Sequence, residues 1–499
     1  MKKNLLILLI ILSGTVLFAS EKEVDPDFQD VDILSYRLYM ERKWDSVIMI
    51  GKQALRQDID FYYLRVRMGI AYFEKQAYFP AVTHLKKARQ LNADDPVVAS
   101  YLYYACRYTD RGEEASLIRA SMTPESRKLI EDKEGFLDLI HVESGYTLSS
   151  DKSPGNLATL MESDSIYGEQ DLYGNSFYAN IGLKFRATHR LGFSFGYSYL
   201  NFDKTKYIQY GKGEDHLIKV ADSSWGKMYI YEFPWVVYDT SFQYKVKQQE
   251  FHLAASYSPG AGFRIMPAFH FIHVAYTATN PGYRFDTVQD NNYYTAFDST
   301  MYTFPFARLN YSFPQSDTSF NNYVAALKIT KDFGLFNLGL SGSWSNLNGK
   351  KQKQVGLSLT YFPFGNLNFY GTTSATGFFQ GKKDQRLLLS QVLGAKITSW
   401  AWAEGNIYYG DYTNANIFNG SVVYNNSDVM NYRIGASLIF VISKHIYLSL
   451  IYQYADKESQ QIYYIKKQNS ATQEINEVQT STYNPYHTNT IIGGLTWKL

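Results

Sequence analysis

The stretch that decides the fold runs from Phe177 to Tyr199 and reads FYANIGLKFRATHRLGFSFGYSY. Apolar and polar residues alternate on both sides of the central polar pair His189-Arg190. A period of two is typical of a β-strand with one apolar and one polar face. Each arm is about 11 residues long, roughly the length at which a tilted strand crosses a bilayer. We therefore predict a transmembrane β-hairpin.

The same period continues from Phe136 to the end of the chain. An even number of strands is expected for a bacterial barrel, because its first and last strands must pair. The alternation predicts about 14 strands, at 136–149, 175–188, 191–203, 240–257, 262–276, 321–332, 335–346, 352–363, 366–377, 385–398, 401–412, 430–443, 445–457 and 486–498.

Short and long connections alternate between these strands. Every second connection is a tight turn such as Phe364-Gly365 or Ser443-Lys444. Short periplasmic turns and long external loops are typical of outer-membrane barrels. We predict external loops, rich in Tyr, Asn, Asp and Ser, at 150–174, 204–239, 277–320, 413–429 and 458–485.

Composition supports a barrel and excludes one class of partner. Aromatic residues make up 17% of the 499 residues, with 44 Tyr and 32 Phe. Such residues form belts at the two membrane interfaces of barrels. The net charge of +2 gives no support for nucleic-acid binding.

The N-terminus predicts the compartment. A basic pair, Lys2-Lys3, precedes the apolar run Leu5 to Leu12, which is typical of a secretory signal peptide at residues 1–20. The alternative, a membrane anchor, would need a longer apolar run. Together with the barrel at 136–499, the signal predicts the outer membrane of a Gram-negative bacterium. Cys106 is the only cysteine, so no internal disulfide is expected.

Residues 26–131 show helical periodicity and an internal repeat. Val47, Ala81 and Ala115 are spaced by 34 residues (81 − 47 and 115 − 81), and Ala54 and Ala88 have the same spacing. A 34-residue period is typical of paired helices that stack into an array, where small residues allow close approach. Because the tight turns and this array lie on the same side of the first strand, we expect the array in the periplasm.

This array resembles the tetratricopeptide family. The best repeat carries the family's apolar, Gly, aromatic, small, large apolar and small positions at Met68, Gly69, Tyr72, Ala81, Leu85 and Ala88, and Ala115 continues the series. The sequence departs from the pattern at Gly51, where a large apolar residue is usual, and at Arg119 and Met122 in the last repeat. The resemblance implies that the array recruits a periplasmic protein. The fold class predicted is thus α+β and multidomain, a short helical array followed by an antiparallel transmembrane barrel.

No motif in the sequence predicts catalysis, a cofactor or a metal site. His270 and His273 are three apart in a predicted strand, so their side chains point to opposite faces. Among many serines and nine histidines, no pair is singled out as a nucleophile and its base. An outer-membrane enzyme is therefore the weakest of three hypotheses.

The predicted lumen face carries more bases than acids. Seven bases against two acids indicate an anion-preferring interior, because rings of one charge sign set the selectivity of a pore. The alternative is that some of these bases snorkel or pair with acids of the loops. The predicted lumen residues are Lys184, Arg186, Arg264, Lys328, Arg386, Lys396, Arg433, Glu143 and Glu404.

A secreted helical array that leads into a barrel resembles the exopolysaccharide export porins in architecture. That resemblance implies an outer-membrane pore or export channel for an anionic or carbohydrate solute, with outer-membrane lipid around it. The alternative is a non-transporting outer-membrane scaffold that anchors a protein complex through a plugged barrel.

Overall fold

A computed structural model describes residues 27–128, 130, 135–154, 165–213, 216–223, 226–232, 235–288, 306–468 and 475–499. The predicted signal peptide lies outside these ranges. None of the helices in them is long and apolar enough to cross a membrane.

Helices occupy the first part of the described chain, and they repeat every 34 residues. The helices α1, α3 and α5 begin at 28, 62 and 96, and α2, α4 and α6 begin at 44, 78 and 112, so successive starts differ by 34 (62 − 28, 96 − 62, 78 − 44, 112 − 78). Membership of the tetratricopeptide family stays a prediction. The helices are α1 (Phe28–Met40), α2 (Trp44–Arg56), α3 (Tyr62–Glu74), α4 (Tyr78–Leu91), α5 (Pro96–Arg107), α6 (Gly112–Ala120) and α7 (Pro124–Arg127).

Small side chains lie where these helices cross. Ala81, Ala88 and Ala115 are fully buried. A Cβ added to Gly69 on α3 would lie 2.6 Å from Cγ of Leu85 on α4, so only glycine permits this approach. The ring of Tyr72 stacks on His84, with the ring centroids 5.3 Å apart. The array is thus held by close helix contacts of the kind that its repeat predicts.

Fourteen strands form a closed antiparallel barrel, which confirms the predicted fold class and strand number. The first strand pairs with the last from Leu139↔Lys498 to Ser149↔Thr488 and closes the ring. The barrel strands are β1 (Leu137–Ser149), β2 (Ser165–Arg186), β3 (Leu191–Gly213), β6 (Trp235–Gly260), β7 (Phe263–Thr279), β10 (Gln315–Phe333), β11 (Phe336–Ser345), β12 (Gln352–Tyr361), β13 (Phe369–Gln380), β14 (Asp384–Thr398), β15 (Ala401–Tyr409), β18 (Val429–Val441), β19 (Ile446–Gln468) and β20 (Ile475–Lys498). Three small hairpins lie between them: β4 (His216–Ser223) with β5 (Gly226–Glu232), β8 (Gly282–Val288) with β9 (Phe306–Ser312), and β16 (Asn416–Ile417) with β17 (Val422–Val423).

The outer face of the barrel is apolar, and the inner face is polar apart from apolar clusters such as that of Val246, Ile272 and Val324. On β12, for example, Val355 and Leu357 expose 56% and 65% of their surface, whereas Gln354, which precedes Val355 and faces the interior, exposes 5%. Ile181, Phe195 and their counterparts on neighbouring strands are exposed in the same way. An apolar exterior of this extent is unfavourable in water and is what a strand surrounded by lipid requires.

Several strands are longer than predicted. β2, β3, β6, β19 and β20 contain 22, 23, 26, 23 and 24 residues. The predicted loops 150–174, 204–239, 277–320 and 458–485 are therefore partly wrong, because their flanks are paired strand. Beyond the bilayer a strand needs no apolar face, so backbone pairing continues through polar sequence that carries no lipid-facing signal.

At the end opposite the tight turns, β2 changes partner. Its residues 165–170 pair with residues 461–465 of β19. Residues 461–465 of β19 pair with β20 on their other edge. β2 therefore takes the same edge of β19 that pairs with β18 nearer the tight turns. The outer segments of β2 and β19 therefore meet across this end of the barrel.

Candidate functional site

The connection between β15 and β18 lies inside the barrel. We call residues 411–428 the lumen loop. It contains the β16–β17 hairpin, whose tip residues Phe418, Asn419 and Gly420 have φ values of 51°, 58° and 82°. The prediction that 413–429 forms an external loop is wrong. The Asn419-Gly420 turn allows the chain to reverse tightly, and the amide-rich flanks find polar partners on the inner wall.

A clasp of hydrogen bonds joins the lumen loop to β12. The Gln354 Nε2 donates to the carbonyl of Asn416 at 2.8 Å, and the Gln354 Oε1 accepts from the Asn416 backbone N–H at 2.9 Å and from its Nδ2 at 3.1 Å. The Asn416 Nδ2 also donates to the Ser343 hydroxyl at 3.0 Å. The polar groups of Asn416 are thus satisfied by the barrel wall.

The tip of the loop reaches the opposite wall. The Asn419 Nδ2 donates to the carbonyl of Met266 on β7 at 2.9 Å. The buried His270 contacts the carbonyl of Gly420 through Nδ1 at 2.7 Å, which makes Nδ1 the donor. A Cβ built on Gly420 would lie 3.9 Å from Cβ of Val324 on β10. The lumen loop therefore crosses the interior from β15 to β7 and β10.

The base of the loop is fixed more firmly than its tip. Tyr412 and Ala415 are buried in an apolar cluster with Phe378 and Leu388. At the other end the Asp428 carboxylate accepts a hydrogen bond from the Tyr486 hydroxyl at 2.6 Å. By contrast the tip residue Phe418 exposes 59% of its surface inside the barrel.

Three of the predicted lumen bases lie near the helices. Arg186 donates to the Ser116 hydroxyl at 2.9 Å and to Asp138 at 3.0 Å. Arg264 donates to the carbonyl of Asp110 at 2.7 Å. Burial raises the pKa of Glu113 on α6, but the neighbouring Arg264 and Lys184 more than offset this, and the pKa lies below its ordinary value. These bases therefore hold the array against the barrel.

Three other predicted bases lie over aromatic rings. Arg386 lies 3.9 Å from the centroid of the Phe378 ring. It also forms ion pairs with Asp384 and Asp411, at 2.8 and 2.5 Å. Arg433 lies 4.2 Å from the centroid of the Tyr408 ring, and Lys396 lies 5.0 Å from that of Trp402. Their charge is thus engaged by neighbouring carboxylates and π-systems.

The remaining predicted site residues have simpler surroundings. The two acids accept hydrogen bonds from tyrosines at 2.6 Å, Glu143 from Tyr178 and Glu404 from Tyr370. Lys328 lines a cavity beneath the lumen loop. The count of seven bases against two acids omitted acids outside the predicted lumen set that pair with these bases. They lie at strand ends (Asp138 and Asp384), in the lumen loop (Asp411) and on α6 (Glu113). The interior is therefore less positive than strand parity alone predicts.

The cavity has a volume of about 150 Å³ and lies between the lumen loop and strands β10 to β15. Its wall contains a row of three serines, Ser358, Ser374 and Ser390, which are direct cross-strand neighbours on β12, β13 and β14. Tyr408 on β15 is the next residue in the row. We call this cavity the chamber and these three residues the serine row.

The helical array lies against the tight-turn end of the barrel. Phe79 stacks on Phe362, with the ring centroids 3.9 Å apart, and its backbone N–H donates to the carbonyl of Gly365 at 2.9 Å. Immediately before α6, Arg111 forms an ion pair with Asp332 at 3.2 Å. The contacts thus reach from β2 to the turn between β12 and β13.

The structure brings no metal ligands together in the ranges that it describes. His270 faces the lumen loop, whereas the exposed His273 contacts the Asn321 side chain at 2.8 Å. Sequence reasoning missed the lumen loop and the serine row. The Asn419-Gly420 turn between Ile417 and Val422 was a hairpin signal, and the serine row could be read from parity once the strand registers were known.

No protein-family model and no curated protein sequence matches this chain. Among solved structures, it is similar to a Pseudomonas aeruginosa FadL homologue, with 9% identity, 75% of this chain and 92% of that chain covered, and a TM-score of 0.38. It is also similar to the Pseudomonas putida toluene transporter TodX, with 7% identity, coverage of 72% and 90%, and a TM-score of 0.36. A third is the anion-selective porin from Comamonas acidovorans, with 10% identity, coverage of 73% and 98%, and a TM-score of 0.27. Likeness at this level gives no indication of what this chain binds.

Proposed function

We propose that this protein is a gated channel of a bacterial outer membrane for an anionic or carbohydrate solute, and that the tip of the lumen loop is its gate. The proposal rests on one observation. The tip crosses the lumen and is attached to the wall by hydrogen bonds of the Asn419 and His270 side chains, not by a continuous backbone ladder. When the tip moves, the wall groups that it leaves can hydrogen-bond to water, so the net cost of opening is modest.

The apolar exterior supports placement in the outer membrane. Strands surrounded by lipid require this face, and a closed barrel leaves no unpaired edge. The helical array lies at the tight-turn end, which is the periplasmic end in barrels of this kind. In this proposal the array recruits a periplasmic protein.

A reversible crosslink between tip and wall tests the gate. The Cβ distance of 3.9 Å between a residue at 420 and Val324 lies within the range of about 3.5–4.5 Å that a disulfide requires. The pair Gly420→Cys and Val324→Cys is made in the full chain, where Cys106 is buried with its pKa raised to about 12. The two single cysteine variants are the matched controls.

Conductance in planar bilayers is measured before and after reduction. We expect current from the reduced double variant, no current from the oxidised one, and no effect of reduction on either single variant. Equal currents in both redox states would refute the gate.

The closed interior also favours a second function, a non-transporting scaffold with a plugged barrel. The stacked Phe79 and the ion pairs at the tight-turn end show that the array is docked. A complete lack of current from the reduced double variant, and from a variant in which residues 417–422 are replaced by two glycines, would favour this scaffold.

A further inference from the structure

We infer that the chamber is a binding site for a neutral carbohydrate and that the serine row provides its hydrogen bonds. This inference rests on the proposed channel and narrows its solute from two classes to one. It depends on which wall groups are already satisfied, on the charge of the lining, and on what covers Tyr408.

The hydroxyls of the serine row are available to a ligand. Ser358, Ser374 and Ser390 are partly exposed to the chamber. In the described part of the chain, none of the three forms a hydrogen bond to another residue, whereas the nearby Ser343 and Gln354 are engaged with Asn416. A hydroxyl can donate and accept at once, which suits the hydroxyls of a sugar.

The lining of the chamber is almost free of charge. Lys328 is the one charged side chain among the described residues that line it. The rest of the polar lining consists of serine, threonine, tyrosine, asparagine and glutamine. An anion would need several positively charged side chains here. Arg186 and Arg386 are engaged in ion pairs elsewhere. A purely apolar solute would leave the hydroxyls unsatisfied.

An aromatic ring marks the end of the row. Tyr408 has the Arg433 guanidinium at 4.2 Å from its ring centroid, and the ring of Phe418 packs edge-on with the centroids 6.1 Å apart. Phe418 belongs to the gate, so withdrawal of the tip removes one of the side chains that cover Tyr408 beside the serine row. An aromatic face next to hydroxyl groups matches a sugar, which has apolar C–H faces and a polar rim.

The size of the chamber fits a single sugar unit. One water needs roughly 10–15 Å³ of volume, so about 150 Å³ accommodates about ten waters. This is close to the number of heavy atoms in a hexose. A longer chain would occupy the chamber with one unit at a time.

Equilibrium dialysis of the full chain in detergent, with the lumen loop intact, tests the inference. The probes are a neutral glucose trisaccharide and glucuronate, which resembles glucose but carries a carboxylate. The test variant combines Ser358→Ala, Ser374→Ala and Ser390→Ala. Its control combines Ser194→Ala, Ser437→Ala and Ser449→Ala, which lie on the inner face of other strands.

We expect the trisaccharide to bind, the test variant to lose at least about tenfold in affinity, and the control to stay within about twofold. Preferential binding of glucuronate, absence of trisaccharide binding, or equal affinity in both serine variants would overturn the inference. Because dialysis needs no current, these results are independent of the crosslinking experiment. If the crosslink controls the current but the trisaccharide does not bind, only the carbohydrate site is refuted. If the trisaccharide binds but the crosslink does not change the current, only the gate is refuted.

Discussion

The clasp between Gln354 and Asn416 should decide how often the gate opens. Gln354→Ala removes all three hydrogen bonds of the clasp. A typical bond contributes about 0.5–1.5 kcal/mol net, so the loss is roughly 2–4 kcal/mol. Water can enter the site that the side chain leaves, which favours the lower value. Because about 1.4 kcal/mol corresponds to a tenfold change, we expect an increase in the opening equilibrium of at least about thirtyfold.

Two further variants turn this into a graded series. Ser343→Ala removes only the 3.0 Å bond from the Asn416 Nδ2, so its effect should be about two- to tenfold. Gln385→Ala changes an exposed glutamine on β14 and should leave gating unchanged. The assay is single-channel recording of open probability for all three variants, with heat stability measured in parallel to exclude unfolding.

The order of the three variants is the decisive result. An open probability for Gln354→Ala equal to that of Gln385→Ala would show that the clasp does not hold the gate. A larger effect of Ser343→Ala than of Gln354→Ala would contradict the assignment of the bonds.

Three other predictions concern the exterior and the helices. Leu183→Arg should cost about 2–4 kcal/mol and impair assembly into vesicles, whereas Ser194→Arg on the inner face should be tolerated; equal damage would contradict the assignment of faces. Ala81→Leu should overpack the fully buried contact of α4 and cost roughly 1–3 kcal/mol in thermal unfolding followed by circular dichroism, while the exposed Leu91→Ala should not. Burial and the nearby Arg65 lower the pKa of His84 to about 4. The unfolded chain therefore binds the proton first, and stability of the array should be highest above about pH 6.5 and fall as the pH drops to about 4, a loss of up to about 3 kcal/mol that His84→Gln should remove.

The sequence alone predicts the parts of this molecule that depend on local periodicity. Lipid-facing residues must be apolar at every second position, so each barrel strand could be located. The spacing of Val47, Ala81 and Ala115 located the helical repeat because helix contacts require small residues at fixed intervals. Strand ends were less well predicted, since β3 and β6 continue where the sequence carries no apolar alternation.

The interior depends on long-range pairing that no local pattern carries. A polar loop outside the barrel and a polar loop inside it have the same composition, so 413–429 could not be placed. The charge of the interior depends on such pairing as well. Strand parity places Arg386 on the inner face, but its partner Asp411 belongs to the lumen loop, and Arg264 contacts α6. Pairing between separate elements therefore decides the net charge of the lumen.

Three elements lie across the barrel or its ends: the β2–β19 pairing, the helical array and the tip of the lumen loop. Of these, the tip should move first. β2 and β19 are joined by a ladder of backbone hydrogen bonds. Local opening of this ladder would leave backbone donors and acceptors that cannot all find new partners. The helical array is held at several separated points, including Phe79 and Arg111, and these must break together. The β16–β17 hairpin that carries the tip is held mainly by Gln354, Met266 and His270. The polar groups that separation would free, on the hairpin and on the wall, can bind water. Phe418 remains 59% exposed in the closed state and contacts Tyr408 only edge-on, so hydrogen bonds contribute more than apolar burial to closure at this point. A solute that offers hydroxyls to the same wall competes directly with these bonds, and such competition would couple binding to opening.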